Sequence, residues 1–157
     1  MEKSKLISEI KKYFKVQEFV EERVFKRWGE NAWNFLDDRL LETILILRRD
    51  ILKVPLVCND WAFGGKNSQR GLRSNVSALV KSKTDANTLY LSQHIFGKAV
   101  DFVSSKMSAE DMRKLIKQNA SKLPYPIRLE VGEKVTWVHI DTMIMLNQQV
   151  KIYEFNG

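Results

Sequence analysis

The sequence predicts an α+β fold, with helices in the first part of the chain and strands in the last. Two observations indicate this order. Apolar residues recur at helical spacing in residues 6–10 and 40–47, whereas residues 126–131 alternate between apolar and polar side chains. Helices that precede strands, rather than alternating with them, are typical of a sheet with helices on one side. We therefore expect a small antiparallel sheet packed against helices, in a single domain that spans residues 1–157.

Residues 1–55 are expected to form a mostly helical part. The expected segments are a helix over residues 3–13, a short docking or strand-like segment over 14–20, and an aromatic cluster over 22–36 that contributes to the core. Asp37 or Asp38 then caps a helix that reaches Leu52, because a carboxylate there can accept hydrogen bonds from the free amides of the first turn. Pro55 ends this helix because its ring cannot continue the hydrogen-bond ladder.

Residues 56–145 are expected to supply most of the strands and the functional residues. The expected elements are a buried strand over 54–58, polar loops over 59–75 and 81–90, a helix that Ser108 opens and that ends before Pro124, and strands over 126–131 and 135–145 joined by a turn at Gly132. The tail, residues 150–155, is expected to add an edge strand.

Composition excludes several classes of protein. With 157 residues and 44% hydrophobic content, the chain can bury one core of ordinary size. Its apolar runs are much shorter than the roughly 20 residues that span a bilayer, so we expect no membrane span. The N-terminal segment lacks the apolar core of a signal peptide, so we expect a protein made in the cytoplasm. The single cysteine, Cys58, excludes an internal disulfide and is expected to be a small buried side chain.

The net charge of +7 predicts an anionic partner or anionic surroundings. Nucleic acid is the common partner of a basic protein, and a polyanionic cell wall is another. The 26 basic residues are scattered along the chain, and no RNA- or DNA-binding signature accompanies them. Nucleic acid is therefore the less favoured partner.

The strongest functional signal is the placement of the only two histidines. His94 and His139 each lie in an apolar segment close to an aspartate, Asp101 and Asp141 respectively. His94 and Asp101 are seven residues apart, which is roughly 10 Å on a helix and roughly 23 Å on a strand. Neither distance lets both side chains bind one ion at about 2 Å, so the chain must turn between them. Gly97 is the residue that allows this turn.

The two histidine segments are then expected to continue as strands. Asp101 falls within a strand over residues 98–103, and in the second segment a period of two places Trp137, His139 and Asp141 on one face. Two imidazoles and one carboxylate leave a coordination position open, as in catalytic zinc sites. The sequence therefore predicts a metal site built from these two segments.

The residues around the histidines form two motifs, Ser92-x-His94-x-x-Gly97-x-Ala99-x-Asp101 and Trp137-x-His139-x-Asp141. Together they closely resemble the motifs of the zinc D-alanyl-D-alanine carboxypeptidases and L-alanyl-D-glutamate endopeptidases, a family that cuts peptidoglycan cross-peptides. Bacteriophage endolysins of this type and the hedgehog signalling fold share the scaffold. The likeness extends over residues 59–141 and implies a hedgehog-like fold with residues 56–145 as its catalytic core. It also implies that His94, Asp101 and His139 bind one Zn²⁺ ion per chain.

The resemblance further implies partners and a place of action. Peptidoglycan or its stem peptides would be the substrate, and the anionic cell wall would suit the positive charge of the chain. The protein is expected to act as a monomer. Because no signal peptide is expected, access to the wall would need release through a lysis pore, as for a phage-encoded lytic enzyme.

Three residues are expected to contact substrate. Arg73 corresponds to the substrate-binding arginine of the family, although Leu72 stands where the family has a tyrosine. Ser92 is expected to contact substrate or to brace the loop that carries His94. Trp137 is expected to contact substrate from the strand face that it shares with His139.

The catalytic base is less clearly marked. Many relatives carry an acidic residue three positions before the last histidine ligand, where this chain has Thr136, which cannot act as a base. Three carboxylates remain as candidates: Glu130, Glu133 and Asp141. Glu133 has the spacing of the hedgehog-type members but falls in an expected turn. Asp141 is expected to orient a metal ligand if it is not the base.

We favour Glu130 as the base. It lies in the segment Arg128-Leu129-Glu130, which is similar to a segment of the endolysin-like relatives. A two-residue turn after it would place Glu130 on the face of His139 but about 13 Å away along the strand. An odd-length loop would turn it to the opposite face, and a wider loop would bring it nearer the metal.

Three other functions remain open at the level of sequence. Two histidines and a carboxylate also bind Fe(II) in oxygenases, but those enzymes usually have an all-β double sheet. A zinc-stabilised module that binds cell wall or protein without catalysis is compatible with Thr136 in the position of the acid. A nucleic-acid module would depend on charge alone and predicts steeply salt-dependent DNA binding.

Overall fold

The computed structural model describes residues 1–146 and 149–157, and within them the chain has an α+β fold. The helices are α1 (Lys3–Ile10), α2 (Glu22–Trp28), α3 (Asp38–Ile46), α4 (Ala78–Asp85) and α5 (Ala109–Gln118). The strands are β1 (Ala99–Phe102), β2 (Ile127–Glu130), β3 (Val138–Asp141) and β4 (Ile152–Phe155). In the part of the chain that the structure describes, no helix has both the length and the apolar character needed to cross a membrane.

The four strands form one mixed sheet in the order β1-β3-β2-β4. β3 pairs antiparallel with β1 and with β2, whereas β4 pairs parallel with β2. The prediction of an antiparallel sheet is therefore wrong at its last strand. Both edges of β3 are already used, so the tail can join only an outer strand, and the chain brings Ile152 beside Ile127 so that β4 runs with β2. The tail does form an edge strand, as predicted.

The helical part packs on the sheet through a single apolar core. α1 packs against α3, and the largest fully buried side chains are those of Trp33, Phe19, Phe102, Leu6, Ile10, Leu36, Leu40, Leu41, Ile44, Leu45, Leu47 and Met112. Cys58 is buried in this core, as predicted, and burial raises the pKa of its thiol. The aromatic cluster over residues 22–36 contributes to the core only in part, since Trp28 is 46% exposed and Phe35 is 39% exposed. These two rings pack edge to face on the surface instead.

Two predicted helix starts are confirmed by their caps. Asp37 accepts hydrogen bonds from the amides of Arg39 (3.0 Å) and Leu40 (3.2 Å), and Ser108 accepts one from the amide of Asp111 (3.1 Å). α3 continues as one π-helical segment, Leu47–Leu52, before Pro55. The first helix, by contrast, ends at Ile10 rather than at residue 13.

Several predicted segments differ from the structure. Residues 78–85, part of an expected loop over 81–90, form α4, because this stretch contains no glycine or proline and Lys81 pairs with Asp85 one turn later (2.5 Å). The strand expected over 54–58 is reduced to a bridge between Val57 and Val103, and the segment over 14–20 docks through a short 3-10 turn rather than a strand.

β3 is also shorter than the predicted strand over residues 135–145. Arg113 of α5 donates hydrogen bonds to the carbonyls of Val135 (3.1 Å) and Trp137 (2.9 Å). These carbonyls bond to the guanidinium, and strand pairing starts only at Val138. The connection between β2 and β3 is consequently a wide loop over residues 131–137, with the predicted turn closed by a bond from the Val135 amide to the Gly132 carbonyl (3.2 Å).

Candidate metal centre

One open cavity of about 290 Å³ lies on the face of the sheet formed by β1, β3 and β2. Its lining contains all seven of the predicted site residues: Arg73, Ser92, His94, Asp101, Glu130, Trp137 and His139. Gln93, Arg128, Asp141 and Phe155 complete the wall. Residues that lie far apart in the sequence, from Arg73 to Phe155, therefore meet at a single site.

His94 reaches this cavity through a tight turn between Ser92 and β1. The Ser92 hydroxyl accepts a hydrogen bond from the His94 amide (3.3 Å), and residues Gln93–Phe96 form a 3-10 turn. Gly97 ends the turn in the left-handed region, with φ +67, and a Cβ there would lie 2.2 Å from the carbonyl oxygen of Phe35. Only glycine satisfies both conditions without displacement of the backbone. The predicted turn at Gly97 is thus present.

Strand register places the second histidine beside the aspartate. Asp101 of β1 is the antiparallel partner of His139 of β3, and directly opposed residues on neighbouring strands project from the same face. A second segment is tied to the same place, since the Asp101 amide donates to the Arg70 carbonyl (2.7 Å) and the Arg73 amide donates to the His94 carbonyl (3.1 Å). These bonds bring the loop before α4 against the face that carries the three predicted ligands.

The three predicted ligands form a compact buried group. His94, Asp101 and His139 are 2%, 8% and 8% exposed, and each offers one ligand atom within 4.8 Å of the others. Asp101 lies between the two rings, with Oδ2 3.4 Å from Nε2 of His94 and Oδ1 2.7 Å from Nδ1 of His139. Nδ1 of His94 lies 2.8 Å from the Gly71 carbonyl, which can only accept, so Nδ1 carries a proton and Nε2 is the nitrogen that faces the aspartate.

The pKa values of these neighbouring residues depend strongly on one another. Burial alone would lower the pKa of His139, but hydrogen bonds to Asp101 and Asp141 outweigh it and raise the pKa to about 9. Burial would raise the pKa of Asp101, whereas hydrogen bonds from His139 and His94 hold it well below its usual range. The pKa of Asp141 is likewise lowered, because its bonds to His139 and Arg128 exceed the cost of burial. The site therefore holds the carboxylates of Asp101 and Asp141 in their ionised form although both are buried.

This triad can hold a metal ion. Tetrahedral ligands at about 2.1 Å from an ion are about 3.4 Å apart, which is close to the separation of Nε2 of His94 and Oδ2 of Asp101. The hydrogen bond to Gly71 leaves the lone pair of His94 available, as a ligand requires. The donor set of two imidazoles and one carboxylate fits a borderline divalent cation better than a hard one such as Mg²⁺.

Arg73 lies against the triad and is held by several partners. Its Nε donates to the carbonyl of Gln69 (2.7 Å), its Nη1 donates to the hydroxyl of Tyr90, and its Nη2 lies 3.5 Å from Oδ2 of Asp101. A guanidinium has five N–H donors, so these contacts leave donors for a ligand in the cavity. Arg73 thus presents a fixed positive charge at the wall.

The other two predicted substrate contacts also line the cavity. Ser92 lines the cavity and caps the turn of His94, so the bracing role is present, whereas contact with substrate stays a prediction. Trp137 is 36% exposed, and its backbone is held by Arg113 while its side chain contributes to the wall.

The three candidate bases occupy different environments. Glu130 lines the cavity of the triad, because Leu129 pairs with Ile140 and the wide loop brings the next residue beside His139. Glu133 is exposed and lines a different cavity, beside the start of α5. Asp141 is fully buried and bonded to Arg128 and to Nε2 of His139 (3.0 Å), which is the arrangement of a group that orients a ligand.

Sequence reasoning missed Arg128, Phe155 and Tyr90 as members of the site. Arg128 shares period two with Glu130 and pairs across the strands with Asp141, so its position followed from a register that the sequence does not specify. Phe155 enters through the parallel pairing of β4 with β2, and its ring centroid lies 5.7 Å from that of His139. Tyr90 lies in an expected loop and gave no signal.

Comparisons of the chain with protein-family models, with curated proteins and with solved structures found no match.

Proposed function

We propose that this chain is a zinc-dependent peptidase that hydrolyses peptidoglycan stem or cross-link peptides. The observation that carries the proposal is the buried group of His94, Asp101 and His139 in the wall of an open cavity that Glu130 also lines. A metal site that serves only structure is closed by a fourth protein ligand, whereas three protein ligands beside an open cavity are typical of catalytic zinc. The family resemblance of the two motifs supports the choice of substrate.

Each group of the chain has a part in this proposal. A zinc ion in the triad would act as a Lewis acid toward the scissile carbonyl and the attacking water. Glu130 takes the proton from the water and delivers it to the leaving amine, as a general base and then a general acid. Arg73 binds a carboxylate of the stem peptide or stabilises the developing oxyanion. Trp137 and Phe155 supply the apolar walls that orient the peptide.

The direct test measures metal content and hydrolysis on the same samples. We expect the wild type to bind about one zinc ion per chain and to release peptides from purified peptidoglycan. Glu130→Gln should keep the metal and lose activity by about 10²–10⁴-fold, because the variant cannot take a proton. Glu133→Gln is the matched control, since Glu133 is exposed and lines another cavity. His139→Ala should lose both metal and activity.

Other outcomes contradict the proposal in distinct ways. Activity that is restored to the metal-free protein by Fe(II) and not by Zn²⁺ would indicate an oxygenase-type centre. Full activity in Glu130→Gln would exclude Glu130 as the base. Stoichiometric zinc without cleavage of any wall substrate would indicate a binding module instead.

That binding module is the second candidate, and one contact favours it. The carboxylate of Glu130 lies against Gly157, where a Cβ would be 2.0 Å from Oε1. In this conformation the tail is in contact with the carboxylate proposed as the base. A wall-binding protein without hydrolysis would not need this carboxylate for proton transfer.

A further inference from the structure

Asp141 is the most completely bonded acid of the site. It is 0% exposed, and Arg128 approaches it with two nitrogens, Nε at 2.8 Å from Oδ1 and Nη2 at 2.8 Å from Oδ2. The Met143 amide donates to Oδ1 (3.1 Å), and Nε2 of His139 lies 3.0 Å from Oδ2. All of these partners converge on a carboxylate that is not one of the three predicted ligands.

Stability does not by itself account for this pair, in which Asp141 is fully buried and the Arg128 side chain is 20% exposed. Removing two charges from water is costly, and replacing a buried ion pair by well-packed apolar side chains is often neutral or stabilising. A role for the charges themselves is therefore the better explanation.

The contacts of Asp141 determine how His139 is presented. The ring has only two nitrogens, and Asp141 engages Nε2 while Nδ1 points to Asp101 and the cavity. Rotation of the ring by half a turn would break both contacts. Outer carboxylates that accept from the second nitrogen of a ligand histidine fix the ring and commonly change metal affinity by about 10–100-fold.

Arg128 in turn holds the carboxylate. Its fork bonds both oxygens of Asp141, so the carboxylate plane cannot rotate away from the ring. Phe155 covers the assembly, with its ring 4.7 Å from the guanidinium of Arg128 and 5.7 Å from the ring of His139. The contacts thus form a chain from Phe155 through Arg128 and Asp141 to His139.

We propose that Arg128 and Asp141 are a positioning pair that holds the ring of His139. In this arrangement Nε2 bonds to Asp141, and Nδ1 stays available to bind a divalent cation. Neither residue touches the ion or the substrate in this role. The inference deepens the proposed function, because it rests on the same metal centre, but it does not depend on which bond, if any, the protein cleaves.

The test measures the affinity for Zn²⁺, the position of the proton on the His139 ring, and the melting temperature. Zn²⁺ affinity is determined by chelator competition for the wild type, Asp141→Asn and Arg128→Met. We expect both variants to bind Zn²⁺ about 10–100-fold more weakly. Asp50→Asn is the matched control, because Asp50 forms a similar two-nitrogen pair with Arg49 on the surface of the helical part. This control should bind Zn²⁺ as tightly as the wild type.

Nitrogen-15 spectra of the rings supply the readout that a structural role would not change. The chain has only two histidines, so the Zn²⁺-loaded protein shows four ring nitrogens. A His94→Gln sample distinguishes the two rings in the metal-free protein, and the assignment is followed through the addition of Zn²⁺. We expect His139 to keep its proton on Nε2 in the loaded wild type. In Asp141→Asn this proton should exchange faster with solvent and the Nε2 signal should shift.

Each result has a definite meaning. If the variants melt at lower temperature but bind Zn²⁺ as the wild type does, the pair only stabilises the sheet and the inference is overturned. It is also overturned if His139 of the loaded wild type carries its proton on Nδ1. Weakened binding in the variants together with absent peptide hydrolysis would refute the peptidase and leave the positioning pair standing. Absence of Zn²⁺ binding to the wild type would refute the metal centre and the pair together.

Discussion

His139 is placed between two carboxylates, and this placement would couple the proposed cation binding to proton release. Nδ1 faces Asp101 and Nε2 faces Asp141, at 2.7 and 3.0 Å. With both nitrogens next to acceptors, the ring is most stable with two protons, which is why its pKa rises to about 9 despite burial. A cation can bind Nδ1 only after the proton there has left.

We therefore expect Zn²⁺ binding to the metal-free protein to release about one proton per ion at pH 7. The sign follows from the raised pKa of about 9: below it His139 is protonated and competes with the ion, so affinity should rise about tenfold per pH unit between pH 7 and 8 and level off above 9. Calorimetry in two buffers of different protonation enthalpy measures the released proton. An affinity that is constant across this pH range would contradict the assignment of His139 as a ligand.

At the level of elements, the turn of Gly97 connects the helical part to the candidate metal centre. The Asp37 amide donates to the Gly97 carbonyl (2.9 Å), so the cap of α3 and the end of the His94 turn share one hydrogen bond. Gly97 itself packs against the backbone of Phe35 with no space for a side chain. The position of His94 thus depends on contact between two elements that are far apart in sequence.

Gly97→Ala is expected to lower the free energy of unfolding by about 3 kcal/mol, from the left-handed backbone and the clash combined. It should also weaken Zn²⁺ binding, because the turn that carries His94 must shift. Gly64→Ala is the matched control: Gly64 has φ +91, but a Cβ added there would meet no atom within 4 Å, so only the conformational cost of about 1 kcal/mol applies. Urea denaturation of the metal-free variants measures both values. Equal losses in the two variants would show that the contact with Phe35 is unimportant.

Features that depend on the chemistry of one residue could be predicted from the sequence, whereas features that depend on how the strands pair could not. Helix caps at Asp37 and Ser108 and the turn at Gly97 follow from the chemistry of single residues, and all are present. The place of Glu130 depended on the width of the loop over residues 131–137, which Arg113 determines from a distant helix. The parallel strand β4 could not be predicted, because period two indicates a strand but not its neighbour or direction.

The whole molecule combines two parts with different sources of stability. The helical part and the inner face of the sheet share one apolar core, whereas the opposite face of β1, β3 and β2 carries the charged residues of the candidate metal centre. The core does not include any of the three predicted ligands. The net charge of +7 favours a polyanionic setting such as a cell wall, and this remains a prediction.

Because the core is separate from the triad, we expect the protein to stay folded without metal and to gain stability when Zn²⁺ binds. Ligand at 100 times its Kd adds about 2.7 kcal/mol, which for a chain of this size corresponds to a rise in Tm of about 5–10 °C. Thermal melts with chelator and with increasing Zn²⁺ measure this shift. His139→Ala should melt at one temperature regardless of Zn²⁺. If Zn²⁺ does not change the Tm of the wild type, the proposed metal centre is contradicted. If the cooperative transition is lost in the presence of chelator, the core needs the ion to form.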